Sequence, residues 1–431
     1  MASELRKLGF KKVFALQGGY RGWCAAKLPL EQKIVKKKDC ITCHSKITPD
    51  IVAEWKLSEH SKNEVTCGVC HGESHYTSDD VDKAEPVTPD KCTKCHDTQG
   101  NQFKKGKHAM AWSAMKVFPT AHWQLMASVE GTEGCGSCHR IGLKSKSEMK
   151  KLLKSGAGFG LASCDVCHTR HTFFKKEAQQ PQACQTCHSG IDYPQWQMYW
   201  GSKHGVRYSL KQMRILPRTV SAPTCQDCHM PNGNHEVRTA WGFFGLRPDI
   251  VGDKEWEEAS RTIMRALGFL DKNGEPTPKM KDAIKHGLFR KDSIEWGSER
   301  VKMVEACSRC HSVHFTETEL KKGDRMIRQA DILMAKAINC VANLYKEGLV
   351  KKPEAFKLAF PNFLQPCEAP SRIEQLLWAM FGEYRMRAFQ GVFHQNSIYA
   401  FRHGLSELQR SLCEIQELAQ ELRSRSKKKT H

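Results

Sequence analysis

The sequence predicts a mainly α-helical protein, with short helices in its first two thirds and long helices towards its C-terminal end. Three observations support this fold class. The pattern Cys-x-x-Cys-His recurs along residues 34–322, and no alternation of apolar and polar residues persists long enough for a sheet. After Gly323, apolar residues recur at spacings of three and four, as on one face of a helix. We therefore expect little β structure.

The repeated pattern occurs eight times and takes up 16 of the 20 cysteines and 8 of the 20 histidines. Residues scattered at these frequencies would give only ~0.04 matches, so chance does not explain the pattern. The copies are Cys40/Cys43/His44, Cys67/Cys70/His71, Cys92/Cys95/His96, Cys135/Cys138/His139, Cys164/Cys167/His168, Cys184/Cys187/His188, Cys225/Cys228/His229 and Cys307/Cys310/His311. We refer to them as motifs one to eight.

Each motif is typical of a c-type haem attachment site. Two thiols three residues apart form thioethers to the vinyl groups of one porphyrin, and the adjacent histidine is then held beneath the iron as its ligand. Zinc ribbons also use paired cysteines, but a zinc site does not require a histidine after every second cysteine. A disulfide framework would leave the eight histidines unexplained. The sequence therefore predicts eight covalently bound haem c groups.

The spacing of the motifs predicts how residues 34–322 pack. Successive motifs start 27, 25, 43, 29, 20, 41 and 82 residues apart, which is about one motif per 36 residues. This leaves little polypeptide for an independent hydrophobic core, so we expect the porphyrins to form the core of an octahaem domain spanning 34–322.

Residues 323–431 have a different character and predict a bundle of long amphipathic helices followed by a basic tail. The expected helices are 326–345, 371–393 and about 399–422. Residues Ile373, Leu376, Leu377, Met380 and Phe381 show the spacing of three and four. The tail, 423–431, is predicted to be a solvated run of charge.

Residues 1–33 contain no motif and read as a short helix, a strand and a turn. The segments Val13-Phe-Ala-Leu16, Gly18-Gly-Tyr20 and Trp23 resemble the C-terminal end of a rhodanese domain. In that family the active-site cysteine lies upstream of this segment, so Cys24 is not expected to carry sulfur.

Charge and hydropathy exclude two classes of protein. The formal charge is +20, but eight haems would add about 16 propionate charges that lysine and arginine can pair with, so nucleic-acid binding is not expected. No run approaches the roughly 20 apolar residues of a membrane helix. The N-terminus shows no signal-peptide pattern, yet the resemblance to exported multihaem cytochromes implies a periplasmic or other extracytoplasmic protein. We therefore expect that Met1 is not the natural start.

Twelve histidines lie outside the motifs, and seven of them are candidates for the second axial ligand of an iron: His60, His75, His108, His122, His171, His204 and His235. Seven such ligands for eight irons would leave one iron with an open position for a small molecule. His314 or a later histidine would close that gap.

The order of the motifs and their surroundings resemble the octahaem hydroxylamine oxidoreductase family over residues 35–415. The resemblance is carried by Cys164-Asp-Val-Cys-His-Thr-Arg-His171-Thr-Phe-Phe, Cys184-Gln-Thr-Cys-His-Ser-Gly-Ile-Asp192-Tyr193-Pro-Gln, Ser202-Lys-His204-Gly and Ala222-Pro-Thr-Cys-Gln-Asp-Cys-His229-Met-Pro. It implies hydroxylamine oxidation, or reduction of nitrite or hydroxylamine, with seven haems for electron transfer. It further implies a homotrimer and a cytochrome or quinone-linked redox partner. The Cys-x-x-Cys-Lys motif of the related octahaem nitrite reductases is absent.

The same resemblance assigns catalysis to the fourth haem, and so to His139. The family's Asp-His pair after motif six reads Asp192-Tyr193 here. The carboxylate suits a proton relay, whereas a phenol with a pKa of about 10 donates a hydrogen bond rather than acting as a base, which favours reduction. Pairing of Asp192 with an arginine, and simple packing of Tyr193, remain open.

Oxidative members of the family also cross-link a tyrosine from a neighbouring subunit to the catalytic porphyrin, which would make one of the eight haems a modified one. Tyr399 is the first candidate here and Tyr384 the second, although packing in a helix is an alternative role for Tyr399. Two other functions also remain open. One is a non-catalytic electron conduit in which every haem is six-coordinate, and the other is reduction of a sulfur compound of the tetrathionate type.

Overall fold

The chain is mainly helical, as predicted. The computed structural model describes residues 39–117, 132–154, 163–190, 193–242, 244–247, 249–290, 292–352 and 371–429. Helices make up 67% of the structure, and these ranges hold no strand, only an isolated bridge between Leu270 and Pro276. The rhodanese-like segment 1–33 lies outside the described residues.

Short helices dominate the part of the chain that carries motifs one to seven. They are α1 Cys40–Ile47, α2 Pro49–Leu57, α3 Glu59–Lys62, α4 Cys67–His71, α5 Pro89–Thr93, α6 Asp97–Lys105, α7 Ala111–Val117, α8 Thr132–His139, α9 Lys146–Lys154, α10 Lys175–Ala178, α11 Gln182–Gln185, α12 Gln195–Trp200, α13 Lys203–Gln212 and α14 Cys225–His229. Four of them, α1, α4, α8 and α14, contain a complete motif.

Local sequence explains where the motif helices begin. The Asp39 carboxylate accepts a hydrogen bond from the Ile41 backbone N–H at 3.1 Å and caps α1. Thr224 and Asp227 form a capping box at the start of α14. In such a helix the two cysteines and the histidine occupy positions i, i+3 and i+4, which lie on one face. In a helix that contains a complete motif, the three haem-binding positions therefore share one face of that helix.

The second half of the chain contains the longer helices. They are α15 Lys254–Ala266, α16 Pro278–Lys285, α17 Ser293–Ser308, α18 Val313–Lys346, α19 Arg372–Ala379, α20 Met386–Phe393, α21 Ser397–Ala400 and α22 Ser406–Lys429. π-Helical turns at Met380–Arg385 and Phe401–Leu405 join α19 to α20 and α21 to α22. Two continuous helices result, 372–393 and 397–429.

Two of these helices differ in extent from the prediction. Helix α18 begins at Val313, not near residue 326, because the Ser312 hydroxyl caps the Phe315 backbone N–H at 3.2 Å. It therefore runs through the expected boundary at residue 323. The last helix continues through the predicted tail to Lys429. Arg423, on this extension, makes two hydrogen bonds of 2.8 Å to Glu347, which tie it to the end of α18.

Helix α18, helix 372–393 and helix 397–429 form an up-down-up bundle. Contacts of Asp331 with Arg385 and of Gly323 with Phe393 show that the second helix is antiparallel to α18. The third helix is antiparallel to the second, and a Cβ atom at Gly404 would lie 2.5 Å from the Ala388 backbone nitrogen. Only glycine permits this close approach. The turn 394–396 therefore lies at the end of the bundle where α18 begins.

The main hydrophobic core lies in this second half and includes Ile263, Met334, Ile338, Leu377 and Ile415, all almost fully buried. Before residue 240, the clusters of buried apolar side chains among described residues are small, as with Phe103, Ala109 and Ile141. Packing of polypeptide against polypeptide thus stabilises chiefly the bundle and the helices around it.

A buried ion pair fixes the middle of the bundle. Arg385 is fully buried and its Nε donates to the Asp331 carboxylate at 2.6 Å. Its remaining nitrogens donate to the carbonyl oxygens of Phe244 and Gly245, and Asp331 also accepts from Trp256 Nε1 at 2.8 Å. These bonds connect helix 372–393 to α18, to α15 and to the loop before α15.

Candidate haem-binding site

Seven motif histidines each face a second histidine. The ring centroids are 6.2 Å apart for His44–His75, 6.1 Å for His60–His96, 6.3 Å for His71–His171, 6.1 Å for His108–His188, 6.3 Å for His168–His235, 6.1 Å for His204–His311 and 6.1 Å for His229–His394. Two imidazoles that bind one iron from opposite sides, each at about 2 Å, place their centroids roughly 6 Å apart. The residues present therefore fit haem irons at these seven positions.

Each pair joins one motif histidine to one histidine from elsewhere in the chain. Six of the latter are among the sequence candidates: His60, His75, His108, His171, His204 and His235. The remaining candidate, His122, lies outside the described residues. His314 is exposed at the start of α18.

His394 was not among the seven named candidates and was covered only by the alternative of a histidine later than His314, yet it faces His229 of motif seven. It follows α20 directly, and its Nδ1 lies 2.7 Å from the Gln390 carbonyl oxygen. It is separated from His229 by 165 residues, whereas the seven named candidates all lie between residues 60 and 235, among the motifs. The available signal was a histidine directly after an apolar helical run, at the turn between two predicted helices.

Hydrogen bonds orient several of the paired rings. The Nδ1 atom of His44 lies 3.0 Å from Thr48 Oγ1, and that of His75 lies 3.0 Å from Asp80 Oδ1. The Nδ1 atoms of His229 and His235 each lie 2.8 Å from a backbone carbonyl oxygen, that of Arg238 and that of Gly233, respectively. A metal-bound imidazole commonly donates its other N–H in this way. The Nε2 atoms are then left to face the partner histidines.

Burial also favours the neutral form that binds a metal. Desolvation, with neighbouring histidines adding to it, lowers the pKa of His108 and of His394 to about 4. At neutral pH these imidazoles therefore have a lone pair available for iron.

The motif cysteines differ in how far the polypeptide covers them. Among the motif cysteines whose side chains the structure describes, the polypeptide leaves four exposed: Cys40, Cys95, Cys138 and Cys310.

The exposure of Cys95 and Cys310 has a local cause. Helices α5 and α17 end before these two residues, so each cysteine lies in the turn that follows its helix. The Cys310 Sγ atom lies 3.5 Å from Ser221 Oγ at the surface. Neither residue forms a disulfide bond, so both sulfur atoms are available for thioether formation. Attachment of haem through Cys95 and Cys310 stays a prediction, and it would place one edge of each porphyrin near the surface of the polypeptide.

Motif four lies next to motif six. His139 ends α8, and its Nδ1 lies 2.7 Å from the Ala111 carbonyl oxygen. The side chains of Cys138 and Cys187 lie next to each other. Tyr193 packs edge-on against His188 of motif six, with ring centroids 6.2 Å apart. Asp192, the predicted proton relay, lies outside the described residues, as does the side chain of Cys135.

Further contacts connect other motifs. Cys92 of motif three lies next to Cys164 of motif five, and Cys184 of motif six lies next to Cys225 of motif seven. Arg309 in motif eight donates to the carbonyl oxygen of Asp227 in motif seven. Because each cysteine would carry one edge of a porphyrin, these contacts would bring the cofactors of neighbouring motifs close together.

The two tyrosine candidates lie in the bundle. Tyr399 is half-buried in α21, and its ring centroid is 4.7 Å from that of His403. Tyr384 lies in the π-helical turn before α20 and packs against the main core. Burial raises the pKa of both phenols, so both are protonated at neutral pH.

Two family profiles match the chain. "Seven times multi-haem cytochrome CxxCH" matches residues 157–266 and 260–355, and "Cytochrome c554 and c-prime" matches residues 22–72 and 91–169. Among curated proteins, the probable nitrite reductase-hydroxylamine oxidoreductase fusion protein of Kuenenia stuttgartiensis is 28% identical over 380 residues, covering 75% of this chain. The chain spans only 39% of that relative's length.

Two solved structures share the fold. A reducing HAO-like protein complex of Kuenenia stuttgartiensis, in which HAO denotes hydroxylamine oxidoreductase, matches with a TM-score of 0.62 and 23% identity, covering 91% of this chain and 86% of that one. A hypothetical multiheme protein matches with a TM-score of 0.63 and 19% identity, covering 94% and 99% of the two chains.

The motifs, the histidine pairs and the matched profiles define a multihaem cytochrome c with covalently bound haem. Within that class, the chain is similar in sequence to the Kuenenia fusion protein and in fold to the reducing HAO-like complex. None of its described helices is long and apolar enough to cross a membrane.

Proposed function

We propose that this protein is an octahaem c-type cytochrome oxidoreductase that acts on a small nitrogen compound at the haem of motif four. Electrons would pass between that haem and the other seven. Reduction of nitrite or hydroxylamine is the favoured direction, since Tyr193 stands where oxidative members of the family have a histidine. Seven further haems bound through motifs one to three and five to eight would serve as electron carriers.

The observation that carries this proposal is the set of seven histidine pairs. Paired imidazoles on both sides of an iron suit electron transfer, because the iron keeps the same ligands in both oxidation states. The pairs therefore support electron transfer at the seven motifs to which they belong. The similarity to a nitrite reductase-hydroxylamine oxidoreductase fusion protein supports nitrogen chemistry, and the family resemblance assigns that chemistry to motif four.

In this proposal a haem iron supplies the redox centre at which the substrate binds. His139 would hold the iron from one side, with its imidazole oriented by the Ala111 carbonyl. Asp192 would move protons, and Tyr193, whose ring packs beside His188, would donate a hydrogen bond to the substrate. The contact between Cys138 and Cys187 would let electrons reach motif four from motif six.

A non-catalytic electron conduit is the second candidate, and the same seven pairs favour it. In that case His122 would be the partner of His139, and all eight irons would have two histidine ligands. The two functions therefore differ at a single haem.

Low-temperature EPR of the oxidised holoprotein distinguishes them. The enzyme is expected to show one high-spin haem per chain, which shifts on addition of hydroxylamine or nitrite. Eight low-spin haems that do not respond to either compound would refute the catalytic proposal. In the conduit, His122→Ala would convert one low-spin haem to high spin, whereas in the enzyme it would leave the low-spin count unchanged.

Turnover tests the proton relay. Asp192→Ala should keep the haem content and slow nitrite and hydroxylamine reduction, while Asp282→Ala, an exposed aspartate in α16, serves as the matched control. Equal turnover of the two variants would remove Asp192 from the mechanism.

The remaining parts of the proposal concern cell location and assembly. Haem c attachment implies an exported, extracytoplasmic protein, and the family resemblance implies a homotrimer served by a cytochrome or quinone-linked carrier. Measurement of the molar mass of the holoprotein in solution tests the trimer.

A further inference from the structure

His75, which faces His44 of motif one, is held by a carboxylate. Its Nδ1 atom lies 3.0 Å from Asp80 Oδ1. The same oxygen accepts the backbone N–H groups of Tyr76 at 2.9 Å and Thr77 at 2.8 Å. The Asp80 side chain is only 16% exposed. Three donors therefore fix this carboxylate against the imidazole.

This arrangement differs from the hydrogen bonds of the other oriented rings. The Nδ1 atoms of His229, His235 and His394 lie against backbone carbonyl oxygens, and that of His44 lies against a hydroxyl. These acceptors are neutral, whereas Asp80 carries a full negative charge. Lys83 approaches Asp80 only at 4.0 Å and is 60% exposed, so solvent screens its compensating charge.

A charged acceptor changes the imidazole that it holds. The carboxylate draws the Nδ1 proton towards itself, which raises the electron density on Nε2 and strengthens that nitrogen as a ligand. A more basic ligand, together with a fixed negative charge close by, stabilises ferric over ferrous iron. A carboxylate held against an axial imidazole therefore lowers the reduction potential of the haem that this imidazole binds.

We propose that Asp80 is a positioning residue that lowers the reduction potential of the haem bound by Cys40, Cys43 and His44, through its hydrogen bond to His75. This inference rests on the ligand pairs of the proposed function. A haem of low potential passes electrons readily to its neighbours. In a reductive enzyme, motif one would then be the place where electrons enter the series.

Redox titration of the holoprotein, followed by optical and EPR spectra, tests this role. Asp80→Asn keeps an oxygen that can accept the Tyr76 and Thr77 N–H groups but removes the charge. We expect the midpoint potential of one haem to move to a more positive value, with the haem content and the low-spin count unchanged. Asp80→Glu, which retains the charge, should restore much of the original potential. Asp79→Asn is the matched control, because Asp79 is the adjacent exposed carboxylate, and it should shift no haem by a comparable amount.

Three results would overturn the inference. One is an unchanged set of potentials in Asp80→Asn, and another is an equal shift in Asp79→Asn, which would indicate a general effect of surface charge. The third is loss of a low-spin haem in Asp80→Asn, which would mean that Asp80 only holds His75 in place. The variant His75→Gly separates this failure from that of the proposed function. If His75→Gly leaves the low-spin count unchanged, the ligand pair itself is wrong.

Discussion

Removal of His394 tests whether the C-terminal bundle supplies a haem ligand. We consider His394→Gly, which removes the imidazole that faces His229 at a centroid distance of 6.1 Å. The haem would remain attached through Cys225 and Cys228, with His229 on its other side. Its iron would lose one strong-field ligand, and we expect it to change from low spin to high spin.

The structure gives the size of the effect. Under the proposed ligation, the seven histidine pairs would give seven low-spin haems, so the variant should retain six of these and gain one high-spin haem per chain. Spin quantitation by EPR and the optical spectrum of the oxidised holoprotein measure both changes. Added imidazole should restore the seventh low-spin signal, because the substitution removes little more than the ring.

A matched control exists in His286→Gly. The Nδ1 atom of His286 lies 2.8 Å from the Asp282 carbonyl oxygen, much as that of His394 lies against Gln390, but His286 belongs to none of the seven pairs. This variant should keep all seven low-spin haems. A low-spin count that is the same in both variants would show that His394 does not bind iron.

Three further predictions concern stability and are measured by unfolding of the holoprotein followed by far-UV circular dichroism. Arg385→Met leaves the buried Asp331 carboxylate without its ion-pair partner and should lower the free energy of unfolding by about 3–5 kcal/mol. Arg423→Met, which removes an exposed ion pair, should lower it by less than about 1 kcal/mol. Equal losses in the two variants would show that burial does not determine the effect. A hydrogen bond from Arg328 lowers the pKa of Asp253 in the folded protein. The ionised carboxylate therefore stabilises the fold above the unfolded pKa of about 3.9, and this contribution is lost as the pH falls through the folded pKa. The loss of unfolding free energy in Asp253→Asn should fade over that range, and a loss independent of pH would refute this linkage. Gly404→Val should separate two helices of the bundle and lower the midpoint of thermal unfolding, and an unchanged midpoint would contradict the close packing.

Local sequence carried enough information for the fold class. The predicted helices of the bundle follow from apolar residues at spacings of three and four, and this local signal agrees with the packed structure. The motifs are equally local, since two cysteines and a histidine within five residues define the covalent chemistry. Helix ends were less accurate, because the start of α18 depends on a single cap at Ser312 and the end of the last helix on a tertiary pair with Glu347.

The pairing of histidines does not follow from local sequence, because it depends on contacts between distant parts of the chain. His60 faces His96, a motif histidine that follows it in the chain. His75 instead faces His44, a motif histidine that precedes it. Order along the chain therefore does not predict which histidines meet. For His394, the partner lies in a different structural unit, and its position is fixed by the turn between two bundle helices.

The position of His394 implies that the bundle and the haem-binding part of the chain are not independent. His394 lies at the end of helix 372–393, and this helix is anchored to α18 and to the loop before α15 by the buried Arg385. Helix α18 in turn begins directly after motif eight, because Ser312 follows His311 and caps it. The same bundle therefore determines where His394, the proposed second ligand at motif seven, lies and where the chain leaves motif eight. A change in the bundle core should consequently alter the spectra of these two haems before it affects motifs one to three, whose partner histidines lie in residues 60–171.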